Sequence, residues 1–244
     1  MLQKTRGIVL RPVKYGETSL VVTMFTEVYG VQAYLVQGVR SSSASKNKAA
    51  YFQPGTILEL VVYMQPGKNM QRIREFHVAH IYQSVHGDVI KNSILLFACE
   101  LMLRLLPENA PLPELFSFAT EFLIGLDERI AKKCANAPIY FLVQCARLLG
   151  YELRGGYSAG TPYLDLQEGG FSAHPPTVPP FTSDEDARLL DAVLHQEGYE
   201  ETAELMMGSE MRMRLIDWYI TFLQQHTQHL GNVRSLAVLR TILH

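Results

Sequence analysis

The chain has 244 residues, of which 48% are hydrophobic and 19% are charged, a composition typical of a globular protein that excludes intrinsic disorder. It contains no uncharged apolar run of roughly 18 residues, so we expect no membrane span, and its first residues lack the apolar stretch and cleavage site of a signal peptide. Three scattered cysteines, Cys99, Cys134 and Cys145, suit a reducing cytoplasm better than a disulfide framework.

The net charge of −2 conceals an asymmetry between the two parts of the chain. Residues 1–80 carry ten Lys/Arg against four Asp/Glu, a net charge of +6, whereas the other 164 residues carry 12 against 20, a net charge of −8. A basic module joined to an acidic one indicates a polyanionic partner for the basic module. The alternative is that the two modules neutralise each other across an interface.

Residues 1–80 are rich in β-branched and aromatic residues and predict five short strands. The runs are TRGIVLRPVKY, TSLVVTMFTEVYG, VQAYLVQGV, TILELVVYM and QRIREFHVAHIY. The turn residues Pro66 and Gly67 join the last two runs as a hairpin. Five strands in about 80 residues favour a small OB-fold barrel, with an SH3-like barrel as the structural alternative.

The connection between the third and fourth strands is basic and rich in serine. Its sequence, GVRSSSASKNKAAYFQP at residues 38–54, contains three cations and no acid, so it cannot form part of a core. We interpret it as a cationic flap that follows a phosphate backbone.

Beyond Gly87 the apolar spacing changes to that of helices. Predicted helices lie in DVIKNSILLFACELMLRLLPE, in ELFSFATEFLIGLDE, in APIYFLVQCARLLGY, in SDEDARLLDAVLH and in two C-terminal segments separated by Gly231. A Gly- and Pro-rich irregular insert occupies residues 154–183. The predicted fold is therefore α+β, with an OB-fold DNA-binding domain at 1–80 and an otherwise all-helical domain at 81–244.

No pattern for catalysis or for a metal site stands out. GxGxxG, GxxxxGK[ST], HExxH, GxSxG and Cys-x-x-Cys are all missing from the sequence. His226 and His229 share a helix face and could hold a metal, but a solvated face explains them better. The carboxylates of DEDARLLD suit a helix N-terminus. We therefore expect a protein without catalytic residues or metal ligands.

Cations of the first 80 residues form the strongest candidate site, because in a small barrel their strands and loops can converge on one surface. The predicted DNA-binding residues are Lys4, Arg6, Arg11, Lys14, Arg40, Lys46, Lys48, Lys68, Arg72 and Arg74. Aromatic residues lie among them, and cations with stacking aromatics are what single-strand binding requires. We expect Phe25 and Phe76 in the core, and Tyr15, Tyr34 or Tyr51 as the aromatic residues that reach nucleic acid.

At TRGIVLRPVKYGETSLVVTMFTEVYG and GVRSSSASKNKAAYFQPGTILEL, the chain closely resembles the N-terminal barrel of the bacterial recombination mediator family RecO. The resemblance continues in LLGYELRGGY, YLDLQEGGFS and HLGNVRSLAVLRTIL, and so covers most of the chain. It implies an OB-fold followed by a helical domain, in a non-catalytic protein of the cytoplasm and nucleoid. DNA contact carries over to cations in the matching segments, such as Arg6, Arg11, Lys14 and Arg40.

The partners that the resemblance implies are single- and double-stranded DNA, RecR, the C-terminal tail of single-strand-binding protein (SSB) and, indirectly, RecA. It implies annealing of complementary strands and RecA loading onto SSB-coated DNA. Many members hold zinc with four cysteines in the helical domain, but residues 154–183 contain none. We therefore expect no zinc, and expect the insert to be held by packing of Tyr157, Tyr163, Leu164, Leu166 and Phe171.

The acidic, apolar SSB tail needs cations beside an apolar groove, although the helical domain is acidic overall. The candidate partner-binding residues are Arg104, Arg129, Lys132, Lys133 and Arg147. The alternative is that these cations are solvated helix ends.

Two other functions compete with that of a mediator. The first is an interaction adaptor whose barrel binds protein rather than DNA. The second is a nuclease, for which the sequence shows no carboxylate–metal site. Steep salt dependence of DNA affinity would favour the mediator over the adaptor.

Overall fold

The computed structural model describes residues 1–39, 48–65, 67–177, 182–196, 198–228 and 230–243. The chain divides into two compact units, Met1–Glu128 and Arg129–His244. Within the described ranges, no helix combines the length and the hydrophobicity that crossing a bilayer requires.

Unit 1 contains five strands followed by two helices. Its elements are β1 (Leu2–Tyr15), β2 (Ser19–Thr26), β3 (Gly30–Val36), β4 (Ile57–Tyr63), β5 (Met70–Val78), α1 (Val89–Leu105) and α2 (Pro113–Glu128), with a short 3-10 helix at Ala49–Phe52 between β3 and β4. The last barrel strand ends at Val78. The predicted domain boundary at residue 80 stays a prediction, because unit 1 also includes α1 and α2.

The five strands form a closed barrel in the order β1-β2-β3-β5-β4. Neighbouring strands are antiparallel except β3 and β5, which run parallel. The register of β1 against β2 shifts between Val9 and Arg11, and such a bulge bends a strand so that a small barrel can close. The barrel followed by helices confirms the predicted α+β fold with an N-terminal OB-fold.

Alternate residues of the strands fill the barrel interior. Val22, Tyr34, Phe52, Leu58 and Val62 are all fully buried there. Burying side chains of this size stabilises the barrel by roughly 2 kcal/mol each. Phe52 comes from the 3-10 helix within the basic connection at residues 38–54, and Val39 of the same connection is also buried in the core. The expectation that this connection cannot form part of a core is therefore wrong at these two residues.

The expectation that Tyr34 could reach nucleic acid is wrong, and the expectation that Phe25 and Phe76 lie in the core holds fully only for Phe25. Tyr34 is fully buried, and its hydroxyl donates to Oε1 of Gln32 at 3.1 Å, so its ring cannot reach nucleic acid. Burial raises the pKa of Tyr34 to about 12. Phe25 is fully buried as predicted, whereas Phe76 is partly buried and packs against the core from the side.

The carboxylate of Asp127, near the end of α2, organises the connection between β5 and α1. It accepts hydrogen bonds from the backbone N–H groups of Gln83, Ser84 and Val85, each at 2.8 Å. The buried ammonium of Lys91 donates to the Ser84 hydroxyl at 2.7 Å and to the Asp127 carbonyl at 2.8 Å. Burial alone would raise the pKa of Asp127, but these hydrogen bonds outweigh it and lower the pKa to about 2.

The same connection is tied back to the barrel through Tyr82. Its hydroxyl donates to the carbonyl of Gly55 at 2.8 Å, and its ring lies between His80 and His86 at centroid distances of 5.0 and 5.3 Å. The left-handed Gly55 (φ 84°) lies against Leu95 of α1, where any Cβ would clash. The connection therefore holds α1 and α2 against the barrel.

Unit 2 is mainly helical. Its elements are a 3-10 helix at Ala131–Cys134, then α3 (Ala137–Leu148), β6 (Tyr163–Asp165), β7 (Gly170–Ser172), β8 (Thr182–Ser183), α4 (Asp184–Leu194), α5 (Tyr199–Ala203), α6 (Ser209–His226) and α7 (Ser235–Ile242). Almost all of α3 is buried, and it packs against α6, α5 and α4.

The predicted irregular insert contains three short strands in the order β7-β6-β8, which the sequence did not reveal. Leu164 and Leu166 are buried as predicted, while Tyr157, Tyr163 and Phe171 are partly exposed. Nε2 of His226 donates to the carbonyl of Leu166 at 2.8 Å. In a turn next to β6, Oδ1 of Asp165 accepts from the backbone N–H groups of Gln167 and Glu168.

The donor groups of this insert do not suit the zinc that the family resemblance implies. Residues 154–183 contain no cysteine, and Cys134 and Cys145 are buried elsewhere in unit 2. Among the described residues, His, Cys, Asp and Glu form no cluster of three or more that could hold a metal ion. The insert has its own hydrogen bonds and buried leucines instead.

We predict that Asp127→Ala lowers the free energy of unfolding by about 3 kcal/mol, because it leaves three backbone N–H groups without an acceptor. The pKa of Asp127 is lower in the folded chain than the usual value of about 3.9. The stabilisation is therefore complete above pH 4 and disappears as the pH falls through about 2. Urea unfolding of wild type and Asp127→Ala at pH 7 checks the first point, and comparison of wild type with Asp127→Asn between pH 7 and pH 2 checks the second. A stability difference that does not shrink at low pH would contradict the role of the charge.

We also predict that the purified protein contains far less than one zinc per chain, because the insert lacks thiolate ligands. Elemental analysis after dialysis measures the metal, and a chelator should leave the melting temperature unchanged. Stoichiometric zinc whose removal lowers the melting temperature would overturn this prediction.

Candidate nucleic-acid interface

The register of the barrel aligns one row of outward-facing side chains across five strands. Val13 of β1 pairs with Val21 of β2, Val21 with Leu35 of β3, and Leu35 with Arg72 of β5. Arg72 in turn pairs with Tyr63 of β4. Val13 and Tyr63 are 48% and 42% exposed, so the row has an open apolar side chain near each end and a cation between them.

A second row runs beside the first, from Arg11 through Thr23 and Ala33 to Met70. Because Thr23 and Ala33 have short side chains, the surface is recessed in the middle of this row, and Arg11 is exposed at one end. Tyr15, 54% exposed, pairs with Ser19 at the tip of the β1–β2 hairpin. We call this surface the barrel face. Its members are Arg11, Val13, Tyr15, Ser19, Val21, Thr23, Ala33, Leu35, Tyr63, Lys68, Met70 and Arg72.

A pocket of about 750 Å³ adjoins the barrel face where β4 turns into β5. Its lining comes from both strands of the β4–β5 hairpin and from the turn between them, including Tyr63, Lys68 and Arg72. The buried amide of Gln71 shapes the hairpin: its side chain accepts from the backbone N–H of Gln65 at 2.8 Å and donates to the carbonyls of Gln65 and Lys68. This end of the face thus combines an exposed ring with two cations, the side chains that bases and phosphates require.

The predicted DNA-binding cations are not equally free. Arg6 donates from Nε and one Nη atom to the carboxylate of Glu27 at 3.0 and 2.9 Å, and it lies 5.5 Å over the ring of Phe116. The bonds to Glu27 raise the pKa of Arg6. Arg74 pairs with Glu75 at 3.1 Å. Both cations are therefore partly neutralised by carboxylates of their own unit.

The remaining predicted cations make no ion pair within the described part of the chain. They are Lys4, Arg11, Lys14, Lys48, Lys68 and Arg72, while Arg40 and Lys46 lie outside the described residues. The barrel brings Lys68 and Arg72 into one pocket, and its register places Arg11 at the β1 end of the second row. Lys4 pairs with Val61 on the β1–β4 side of the barrel.

The predicted partner-binding cations are distributed over both units. Arg104 belongs to unit 1 and pairs with Glu100 one helical turn earlier at 2.8 Å. In unit 2, Arg129 bonds to Glu200 at 2.8 Å and lies 4.5 Å from the Tyr199 ring centroid. Arg129 is therefore largely committed to contacts within its own unit.

Of the other three candidates, Lys133 bonds to Glu204 at 3.2 Å. Lys132 and Arg147 make no ion pair within the described ranges. Lys132 lines a groove of unit 2, whereas Arg147 does not.

A groove of about 510 Å³ in unit 2 has Lys132 and Lys133 on its rim. Met206, 92% exposed, lies beside them. Arg212 lies at its base with only 7% of its surface exposed. The groove therefore combines an apolar side chain in solvent with cations.

Arg212 is a functional candidate that the sequence analysis missed. Its guanidinium donates to Oδ1 of Asn136 at 2.9 Å and to the carbonyls of Met207 and Leu243 at 2.8 and 3.4 Å. It meets no carboxylate among the described residues, and burial lowers its pKa. The sequence contained one signal of this burial: the helical spacing places Arg212 on the same apolar face as Leu215 and Tyr219.

Comparisons with known proteins agree over nearly the whole chain. A family model described as "Recombination protein O N terminal" matches residues 1–82, and one described as "Recombination protein O C terminal" matches residues 86–236. Three similar curated proteins are each named DNA repair protein RecO. That of Bacteroides fragilis is 31% identical over 245 aligned positions, covering 99% of both chains. That of Flavobacterium psychrophilum is 28% identical and covers 98% of both, and that of an Exiguobacterium is 26% identical and covers 93% of this chain and 92% of its own length. The chain therefore belongs to the RecO family of DNA repair proteins.

Proposed function

We propose that this protein is a recombination mediator that binds single- and double-stranded DNA on the barrel face and anneals complementary strands. Together with RecR it would help to load RecA onto SSB-coated DNA, acting at the nucleoid in the cytoplasm. The observation that supports DNA binding most is that Lys68 and Arg72, without carboxylate partners among the described residues, line one pocket with the exposed ring of Tyr63.

Annealing needs no catalytic group, because strand pairing makes and breaks only noncovalent contacts. What opposes it is repulsion between two phosphate backbones, and a cationic surface that replaces their counterions lowers that barrier. The barrel face offers cations near its edges and small side chains in its middle, where a backbone can lie close. We therefore propose a protein without enzymatic activity.

The adaptor alternative is favoured by one observation, the exposed Val13 and the partly exposed Val21 in the first row, beside the buried Leu35. A protein ligand would use those side chains, and its affinity would depend weakly on salt. DNA would use the flanking cations, and its affinity would depend steeply on salt. The two functions thus differ in a measurable slope.

We predict that reversing three charges of the barrel face, Arg11→Glu, Lys68→Glu and Arg72→Glu, weakens binding to DNA of every sequence to a similar extent. The plot of log affinity against log salt concentration should flatten by roughly one unit per lost phosphate contact. Fluorescence anisotropy with labelled oligonucleotides at several salt concentrations measures both effects.

The matched control is Arg188→Glu, which reverses an exposed cation on α4 of unit 2. It should leave both affinity and slope close to those of wild type. Equal loss in the control, or an unchanged slope in the triple variant, would contradict the barrel face as the DNA site.

We further propose that the acidic, apolar tail of SSB docks in the groove of unit 2. Lys132 and the buried Arg212 supply positive charge there, and Met206 supplies apolar surface that solvent otherwise covers. The low polarity around Arg212 strengthens its attraction for a carboxylate that reaches it. Local charge of this kind can overcome the acidity of the unit as a whole.

We predict that Lys132→Glu and Met206→Ser each weaken binding of an SSB C-terminal peptide by about tenfold, the loss of one desolvated contact of about 1.4 kcal/mol. Isothermal titration calorimetry with the peptide checks this, with Arg188→Glu again as the charge control. If Arg147→Glu or the barrel-face variant abolishes binding while both groove variants keep it, the tail binds elsewhere.

A further inference from the structure

Four side chains cluster at the rim of the barrel, outside the two rows of the barrel face. They are Lys48, Tyr51, Phe52 and Phe76, and we call them the rim cluster. Phe52 and Phe76 meet edge to face with ring centroids 4.8 Å apart. Tyr51 lies against the other side of Phe76 at 5.9 Å, and Nζ of Lys48 is 6.0 Å from the same ring.

The backbone that carries Tyr51 is held firmly. Phe52, its neighbour in the 3-10 helix, is fully buried in the barrel core. The N–H of Ala49 donates to the carbonyl of Val39 at 3.1 Å, and the N–H of Gly55 donates to the carbonyl of Val9 at 2.8 Å. Tyr51 therefore presents its ring from a fixed position, so that little conformational entropy is lost when the ring is covered.

Among the described residues of unit 1, no contact accounts for the exposure of this ring. Tyr51 is 47% exposed, and its hydroxyl has no hydrogen-bond partner among the described residues. One side of the ring packs on Phe76 and the other faces solvent. Lys48 lies at the same rim with no carboxylate partner in the described ranges. An open aromatic surface next to an unpaired cation suits a planar, anionic ligand.

We propose that Tyr51 stacks on a base of single-stranded DNA while Lys48 contacts the adjoining phosphate, and that this contact distinguishes single strands from duplex. The proposal rests on the DNA binding argued above and assigns it a strand-selective residue. Bases of a single strand can turn a ring face toward tyrosine, whereas duplex bases are stacked on both faces and paired. Cations meet phosphates in either form, so Arg11, Lys68 and Arg72 by themselves would discriminate weakly.

This selectivity has a consequence for annealing. A base stacked on Tyr51 must leave the ring before it can join the growing duplex. The finished duplex then keeps only its phosphate contacts and binds more weakly than the strands did. Tyr51 thus favours the intake of single strands and the release of the paired product.

The first test compares wild type, Tyr51→Ala and Tyr51→Phe for binding to a short oligothymidylate and to a hairpin duplex at two salt concentrations. Tyr51→Ala should bind the single strand about tenfold more weakly, with duplex affinity and salt slope unchanged. Tyr51→Phe keeps the ring and should bind like wild type. Thermal melting establishes that both variants are folded.

The second test uses the wild-type chain, so that folding of a variant plays no part. A single strand containing 5-iodouracil is photocrosslinked to the protein, and the attached residue is identified by mass spectrometry. We expect the crosslink at Tyr51. Crosslinks at Tyr15 or Tyr63 but not at Tyr51 would overturn the proposal.

The outcomes separate this inference from the proposed function. If wild type binds DNA with a steep salt slope but Tyr51→Ala loses nothing, or loses single strand and duplex equally, the stacking role is wrong and the mediator stands. If wild type binds neither form of DNA, both fail.

Discussion

Three residue pairs between β3 and β5 close the barrel: Ala33 with Met70, Tyr34 with Gln71, and Leu35 with Arg72. This short parallel contact joins strands that a long basic connection separates in the sequence. Without it, the open sheet would run β3-β2-β1-β4-β5, and Arg72 of β5 would lie at the edge opposite β3. With it, Arg72 pairs with Leu35 of β3, and it lines one pocket with Lys68. The buried amide of Gln71 supports the closure, because its bonds to Gln65 and Lys68 fix the hairpin that carries both cations.

The barrel closure and the Asp127 hydrogen bonds have complementary effects. The first creates the surface and the second attaches α1 and α2 to the barrel through the connection at residues 79–88. Arg72 takes part in the closure through its strand pairing with Leu35, but neither feature uses the charged group of a barrel-face cation. Arg11, Lys68 and Arg72 thus remain without intramolecular carboxylates in the described part of the chain, and a phosphate can bind them without displacing an existing partner. Arg6 differs, since binding a phosphate would first cost its two bonds to Glu27.

Sequence patterns predicted the five barrel strands, the helices other than the short α5 and the α+β order, because apolar spacing and turn residues are local features. They could not predict which strands pair in parallel, since register depends on contacts between distant segments. Tyr34 was assigned wrongly for a related reason. A tyrosine in a strand fits either side of the sheet, and only the closed barrel shows that its ring fills the interior. The neutralisation of Arg6 by Glu27 and the burial of Arg212 likewise depend on residues far away in the chain.

The central claim is that DNA lies on the barrel face, and a nuclear magnetic resonance titration of the 27.6-kDa chain with a single-stranded oligonucleotide tests it most directly. Our account predicts that the largest amide shift changes occur along both rows, at Arg11, Thr23, Leu35 and Arg72, with small changes in unit 2. Shift changes confined to residues 129–244, with the amides of the barrel face unmoved, would contradict it.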